Sequence, residues 1–181
     1  MSDVGRLAST AGYRFVVPVE LRAEHIDGQG HLNNAAVTRI LNDLRVAYVH
    51  AGPGPRWLDH LRASAHRRTV VVRELHVAYD REATIEDELI GCVQVSARRG
   101  RAKIVEQRIV DVTRDAVVAR SWAVQLFVVD GVVRDFPDFY WDAIATAEGR
   151  VIPPEPRGTP TPFGPPPSSV DALAGDRPTS R

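Results

Sequence analysis

One polar segment of ten residues, HIDGQGHLNN from His25 to Asn34, concentrates groups that can do chemistry. It holds a carboxylate, two imidazoles and three side-chain carboxamides, and it separates an apolar strand pattern from an apolar helix pattern. A strand-to-helix connection needs only a turn residue and a helix cap. Asp27 and His31 exceed that need, and we interpret them as the candidate catalytic residues.

A carboxylate before a helix suits attack on an activated carbonyl. The first N–H groups of a helix lack intrahelical partners, and with the helix dipole they stabilise a developing oxyanion. We expect these donors between Gly30 and Ala35. Asp27 would activate water as a general base or attack the carbonyl to form an anhydride, and the sequence leaves both routes open.

Simpler roles compete for the same residues. Asp27-Gly28 is a common turn pair, and Gln29 is an ordinary solvent-facing side chain. Asn33 is most simply the helix N-cap and Asn34 a residue of the first turn.

A metal site is the weaker interpretation of this segment. His25, Asp27 and His31 carry ligand atoms, but their spacing matches no standard site and no second cluster supports them. Cys92 is the single cysteine and lies in a strand-like run, where we expect a buried structural thiol. We therefore predict no metal and no cofactor.

The composition excludes several classes of partner. Lys plus Arg and Asp plus Glu number 23 each in 181 residues, so no net charge favours nucleic acid or an anionic membrane. No run of about 18 apolar residues is long enough to span a membrane, and the first residues lack the apolar core of an export signal. We predict a cytoplasmic protein without a membrane span.

Five strands are predicted. Alternation of apolar and polar residues indicates the first, at Tyr13–Leu21, and strand-like runs indicate four more, at Thr69–Tyr79, Glu88–Arg98, Ala102–Val112 and Val117–Val129. The breaks after the second, third and fourth strands are short and polar, which favours antiparallel hairpins over crossover helices. Pro18 assigns the first strand to a sheet edge or a bulge.

One long helix precedes the four later strands. Apolar residues recur every three or four positions from Ala36 to Tyr48, and Gly52-Pro53-Gly54-Pro55 ends the pattern. About 18 residues at 1.5 Å each give roughly 27 Å. Arg56–Arg68 gives mixed signals, and Phe139–Ala147 predicts a short final helix. The fold class is therefore α+β, a central helix against an antiparallel sheet of about five strands.

Three regions follow from this pattern. Residues 1–12 form a short N-terminal extension, residues 13–150 the folded domain, and residues 151–181 a proline-rich tail with few large apolar residues, for which we predict disorder. An open sheet has two unpaired edges, so we expect a homodimer or a homotetramer.

The element order and the polar segment resemble the hotdog fold, and within it the 4-hydroxybenzoyl-CoA thioesterase-like acyl-CoA thioesterases. Members commonly carry Asp-x-Asp-x-x-Gly-His-Val-Asn-Asn after the first strand. The second acid, catalytic in many members, matches Asp27, and Gly30, His31, Asn33 and Asn34 match the end of the motif. His25 replaces the first acid. The similarity runs from about Tyr13 to Trp141.

Plant acyl-carrier-protein thioesterases are similar at the same loop, where Asp27, Gln29 and His31 match an acid, a carboxamide and a histidine. The resemblance implies an acyl-CoA thioesterase that acts on an acyl-CoA or acyl-carrier-protein thioester. It implies catalytic roles for Asp27 and His31. Substrate-binding roles are implied for Gln29, Gly30, Asn33 and Asn34.

Two other functions fit the same fold. A hotdog enoyl-CoA hydratase typically pairs Asp with a histidine five residues later in a loop containing Asn-Pro, whereas His31 follows Asp27 by four residues without a proline. A noncatalytic acyl-CoA-binding module is the other alternative. Too few residues precede the first strand for a DNA-binding helix-turn-helix.

The rest of the substrate has weaker signals. Arg98, Arg99, Arg101 and Lys103 surround a predicted hairpin turn, and Arg67 and Arg68 begin the second long strand. Of these we predict Arg68 and Arg99 as ligands of the CoA phosphates. Candidates to line the acyl pocket are the aromatic residues Tyr48, Trp57, Trp122 and Phe127.

Overall fold

An antiparallel sheet curls around one long helix in the computed structural model, which describes residues 7–63 and 65–155. Its strands are β1 (Phe15–Val19), β2 (Arg68–Tyr79), β3 (Leu89–Arg99), β4 (Ala102–Asp111), β5 (Ala116–Val129) and β6 (Val132–Arg134). Their order is β1-β3-β4-β5-β2, with β6 paired to β5. The five predicted strands are confirmed, and β6 is an addition.

Helix α1 (Asn34–Ala51) confirms the predicted central helix and its length of 18 residues. Its apolar stripe is buried against the sheet; the buried apolar residues are Ala36, Val37, Ile40, Leu41, Leu44 and Tyr48. Gly91 of β3 permits close contact, since a Cβ there would lie 2.3 Å from Leu44 Cδ2. The helix therefore packs directly on the central strands.

A second helix, α2 (Gly54–Arg62), lies in a stretch whose sequence signals are mixed. The central helix ends at Gly52, as the Gly-Pro sequence predicted, and the new helix begins two residues later at Gly54. Pro55 lies in the first turn of α2, where its missing N–H has no cost. Trp57 anchors the helix with 1% of its surface exposed.

The final helix, α3 (Asp138–Glu148), confirms the expected one and ends at Gly149, whose φ is +64°. Its last residue is a buried carboxylate. Glu148 Oε1 accepts hydrogen bonds from the Tyr48 hydroxyl at 2.5 Å and from the Val95 amide at 2.7 Å. Glu148 thus connects α3 with α1 and β3.

The two edges of the sheet differ in length. β1 has five residues and contains Pro18, as the edge prediction required. β2 has 12 residues and pairs only with β5 in the described part of the chain. A register shift between Val72 and Glu74 bends β2 around the helix.

The two faces of the sheet differ in what covers them. The concave face packs on α1, whereas Trp122 belongs to a smaller cluster with Ala97, Ile104 and Val124.

Two single residues of the strands were also the subject of predictions. Cys92 is fully buried, as expected. Lys103 lies in β4, within the strand predicted from Ala102, but its grouping with the arginines of the turn was wrong, because only 1% of its surface is exposed.

The predicted terminal regions contact the domain where they are described. A 3-10 turn at Ala8–Thr10 bonds to Asp115 through the Ala8 and Ser9 amides at 2.9 and 3.0 Å. Ile152 is buried, and Pro154 forms a bridge with Arg98. The predicted disorder after residue 155 lies outside the described residues.

Candidate active site

The polar segment forms a hairpin-like loop that enters α1. Ile26 pairs with Leu32 in an antiparallel bridge, and the Asp27 amide donates to the His31 carbonyl at 2.8 Å. Gly30 closes the turn by donating to the Asp27 carbonyl at 3.0 Å, and its φ of +86° favours glycine there. The Leu32 amide then donates to the Ala83 carbonyl, which attaches the loop to the segment after β2.

The Asp27 carboxylate is exposed and held at the mouth of this loop. Its Oδ1 accepts hydrogen bonds from the amides of Gln29 at 2.8 Å and His31 at 3.1 Å. Bonds from the His31 and Gln29 backbones lower the pKa of Asp27. The carboxylate is therefore ionised at neutral pH, as a general base or a nucleophile must be.

The His31 side chain faces the segment that follows β2. Its Nε2 lies 3.5 Å from Glu82 Oε2, and 37% of the side chain is exposed. Asp27, His31 and Asn34 line one side of a cleft of about 420 Å³, and Tyr79 and Glu82 line the other. The structure thus brings the two candidate catalytic residues into one cleft.

The start of α1 is capped by Asn33. Its Oδ1 accepts from the Ala36 amide at 2.8 Å, while its Nδ2 and its backbone amide both donate to the His25 carbonyl at 2.9 Å. His25 is buried, and its Nδ1 accepts from the Arg22 amide at 3.2 Å. The Asn33 side chain is therefore occupied by the cap, and its role in substrate binding stays a prediction.

Fewer backbone N–H groups between Gly30 and Ala35 are available to a substrate than the sequence predicted. The amides of Gly30, His31, Leu32 and Asn33 all donate within the loop or to Ala83. Ala36 donates to the cap. The amides of Asn34 and Ala35, at the positive end of α1, are the ones that could meet an oxyanion.

The predicted phosphate ligands lie far from this cleft within one chain. Arg68 begins β2 and donates to the His60 carbonyl at 2.8 Å, whereas the cleft lies where β2 ends. Arg99 ends β3, with its Nε 2.5 Å from Glu155 Oε2. The 12 residues of β2 span roughly 36 Å at 3.3 Å per step. One chain does not bring either arginine to Asp27.

The other predicted residues separate in the fold. Gln29 is exposed in the loop, and its backbone N–H, not its side-chain carboxamide, donates to Asp27. Tyr48 and Phe127 pack in the main core, and Trp122 lies in the cluster away from it. Trp57 lines a second cleft between α1 and α2.

Sequence reasoning missed Tyr79 and Glu82. They follow the polar segment by about fifty positions, and only the pairing of Leu32 with Ala83 brings them beside Asp27. Among residues 7–63 and 65–155, no three His, Cys, Asp or Glu side chains are grouped to hold a metal ion. No helix in those ranges is long and apolar enough to cross a bilayer.

Solved structures share this fold. A thioesterase from Thermus thermophilus complexed with coenzyme A and Zn has 22% identity and a TM-score of 0.65, covering 77% of this chain and 98% of its own. A hypothetical protein from Staphylococcus aureus in complex with CoA has 14% identity and a TM-score of 0.64, covering 78% and 87%. The probable thioesterase YbaW from Escherichia coli has 25% identity and a TM-score of 0.54, covering 64% and 82%.

These likenesses confirm the hotdog fold expected from the polar segment and the element order. A comparison with curated protein sequences gave no significant match. The sequence profile of the thioesterase-like superfamily, in contrast, matches residues 21–144, which include the loop, α1, the long strands β2 to β5 and most of α3. This chain therefore belongs to the thioesterase-like superfamily.

Proposed function

We propose that this protein hydrolyses acyl-CoA thioesters to a carboxylic acid and free CoA. The observation that carries the proposal is the Asp27 carboxylate, which is held ionised by backbone hydrogen bonds in the same cleft as the first turn of α1. The superfamily assignment and two CoA-bound structural neighbours support a CoA thioester as the substrate.

Two routes use the same groups. As a general base, Asp27 takes a proton from water while the hydroxide adds to the carbonyl carbon, and the C–S bond breaks as the thiolate takes up a proton. As a nucleophile, Asp27 adds to the carbonyl and expels the thiolate, and water then hydrolyses the acyl-aspartyl anhydride. In both routes the amides of Asn34 and Ala35 stabilise the oxyanion.

We propose that His31 orients the thioester from beside Asp27, with its ring next to Glu82 of the facing wall. The His31 ring lines the cleft, and the His31 backbone amide donates to the Asp27 carboxylate. One residue therefore both contacts the substrate and positions the base. Gly30 and Asn34 contribute through the backbone of the loop and the first helical turn.

We also propose that the active unit is a homodimer paired through the β2 edges. No strand of the described residues pairs with the outer edge of β2, and that strand exposes large apolar residues, including Val71 at 38% and Tyr79 at 49%. Antiparallel pairing would bring Arg68 of the partner subunit beside the end of β2, close to the Asp27 cleft. Arg68 then remains a candidate phosphate ligand across the dimer, and Arg99 and the cytoplasmic location stay predictions.

The test is release of free thiol from aryl-, short-, medium- and long-chain acyl-CoAs by the wild type and by Asp27→Asn. We expect Asp27→Asn to lower kcat/KM by about a hundredfold or more, the usual contribution of a positioned base. Hydroxylamine then separates the routes. Its attack on the aspartyl carbonyl of the anhydride releases the carboxylic acid and leaves a hydroxamate on Asp27, which the general-base route cannot form.

Asp115→Asn is the matched control. Asp115 is also an exposed carboxylate whose pKa is lowered, by hydrogen bonds from Ser9 and Ala8, but it lies at the N-terminal 3-10 turn. It should keep the wild-type rate. Full activity in Asp27→Asn would contradict the assignment, and binding without turnover by the wild type would favour a noncatalytic acyl-CoA-binding module.

A further inference from the structure

A second cleft, which we call the distal cleft, lies between α1, α2 and the start of β2. Its volume is about 310 Å³, and its walls are largely apolar, with Val49 from α1, Trp57 and Leu61 from α2, and Val70 from β2. A cleft of this size and lining suits the hydrocarbon part of a small ligand.

The floor of the distal cleft carries two cations. Arg45 projects from α1 and Lys103 from β4, with 7% and 1% of their surfaces exposed. Arg45 Nη1 donates to Gln107 Oε1 at 2.8 Å, and Lys103 Nζ donates to the Tyr140 hydroxyl at 2.5 Å. Both cations are thus held in place by neutral oxygen atoms.

No carboxylate of the described residues lies within 4.0 Å of either cation, whereas Arg99, Arg114 and Arg120 all have carboxylate partners. Burying a charge without a counterion costs several kcal/mol, so paired charges are the rule in protein interiors. Burial and the neighbouring Arg45 lower the pKa of Lys103 to about 7. The buried Arg45 thus has no carboxylate partner among the described residues, and Lys103 can take up a proton near neutral pH when an anionic ligand supplies the negative charge.

The distal cleft lies along the helix from the candidate active site. Asn34, Thr38, Asn42 and Arg45 follow at spacings of four, four and three, which places them along one side of α1. Asn34 lines the Asp27 cleft, and Asn42 and Arg45 line the distal cleft. Eleven residues at 1.5 Å each separate Asn34 from Arg45 by roughly 16 Å along the axis.

We propose that the distal cleft binds the far end of the acyl group and that this end carries a carboxylate, held by Arg45 and Lys103. This inference rests on the proposed thioesterase function and names its substrate class, ω-carboxyacyl thioesters. The apolar walls would contact the methylene chain, and the guanidinium and ammonium groups would neutralise the terminal charge.

The test compares thioesters of equal carbon number that differ only at the far end: adipoyl-CoA with hexanoyl-CoA, suberoyl-CoA with octanoyl-CoA, and sebacoyl-CoA with decanoyl-CoA. For at least one pair we expect the wild type to show a kcat/KM about tenfold or more higher for the carboxylate-ended thioester, the scale of one hydrogen bond to a charged group. The comparison is valid whichever chain of a dimer supplies the distal cleft.

Lys103→Met keeps the length of the side chain and removes its charge, and it should bring the ratio within each pair close to one. Arg39→Met is the control, because Arg39 is an exposed cation of α1 that lines other clefts; it should keep the wild-type ratio. Equal or faster hydrolysis of the methyl-ended thioesters by the wild type would overturn the proposal, even if Lys103→Met does not fold.

Binding measurements separate this proposal from the thioesterase proposal. If the wild type hydrolyses none of these thioesters, the proposed function fails, and calorimetric titration with all three pairs still decides the site. Tighter binding of a carboxylate-ended thioester than of its methyl-ended partner, lost in Lys103→Met, would support an anion site. Equal affinities across all three pairs would overturn it.

Discussion

Asp27 and Lys103 show how two ionisable side chains of one chain are placed in opposite environments. Asp27 is exposed, and backbone amides hold it in its charged form. Lys103 is buried, and desolvation favours its neutral form. The first arrangement suits a base exposed to substrate and water, and the second suits a cation that is stabilised when an anion arrives.

Lys103 should make stability depend on pH. Its pKa is about 7 in the folded protein, against 10.5 for an ordinary lysine side chain. The unfolded chain therefore binds more protons between these values, and the free energy of unfolding rises with pH from about 7 upward. We expect the wild type to gain stability from pH 6.5 to 8.5, by at most ~1.4 kcal/mol per pH unit.

Denaturant unfolding of the wild type and Lys103→Met measures this effect as a difference. The variant should lack the gain, while Arg101→Met, which changes an exposed cation two residues away, should retain it. Lys103 is the single lysine of the chain, so 13C-lysine labelling gives one side-chain signal whose titration reports its pKa directly. An ordinary lysine titration near pH 10 would contradict the assignment.

At the same scale, the sequence places the two candidate catalytic residues more easily than the other residues that line their cleft. Asp27 and His31 are close in the chain, so a local motif is enough to place them together. Tyr79 and Glu82 reach the same cleft only through the tertiary fold. The prediction for Lys103 was wrong because a charged residue next to a turn indicates exposure, whereas its position in β4 directs it to the concave face.

Among the elements, the junction of loop and helix depends most on one side chain. Asn33 caps α1 with its Oδ1 and fastens the loop to His25 with its Nδ2. Replacing a capping side chain by alanine typically costs about 1 kcal/mol, and Asn33→Ala also loses the bond to His25. We expect Asn33→Ala to lower the free energy of unfolding by ~1 to 2 kcal/mol.

Asn33→Asp tests the two functions separately, since its carboxylate oxygen still accepts from Ala36 but cannot donate to the His25 carbonyl. Chemical denaturation should give it a stability between the wild type and Asn33→Ala. If Asn33→Ala unfolds at the wild-type denaturant midpoint, the cap does not stabilise the fold.

The elements that the sequence predicts are those with several repeats of their period. α1 has five turns of apolar residues at helical spacing, and β2 to β5 are each strand-like runs of ten or more residues. α2 has only nine residues and follows a Gly-Pro sequence that usually ends a helix. β6 has three residues, and the sequence indicates only its turn, Asp130-Gly131, which has positive φ at both positions.

For the whole molecule, the proposed pairing of two chains through their β2 edges can be tested directly. We expect the wild type to have about twice the 19.9 kDa mass of the chain by light scattering. Val71→Glu places a charge on that edge and should give a monomer with lower thioesterase activity. Val132→Glu changes a comparably exposed valine on β6 and should leave the dimer intact. A wild-type monomer with full activity would contradict the dimer.

The close contact between Gly91 and Leu44 limits which substitutions these two positions can accept as the sequence changes in evolution. A β-carbon at position 91 would lie within 3 Å of three side-chain atoms of Leu44, so the volume available at each position depends on the other. A larger residue at 91 is therefore admissible only with a smaller one at 44. The two positions should change together during evolution, which would let the contact of helix and sheet persist while most other residues are replaced.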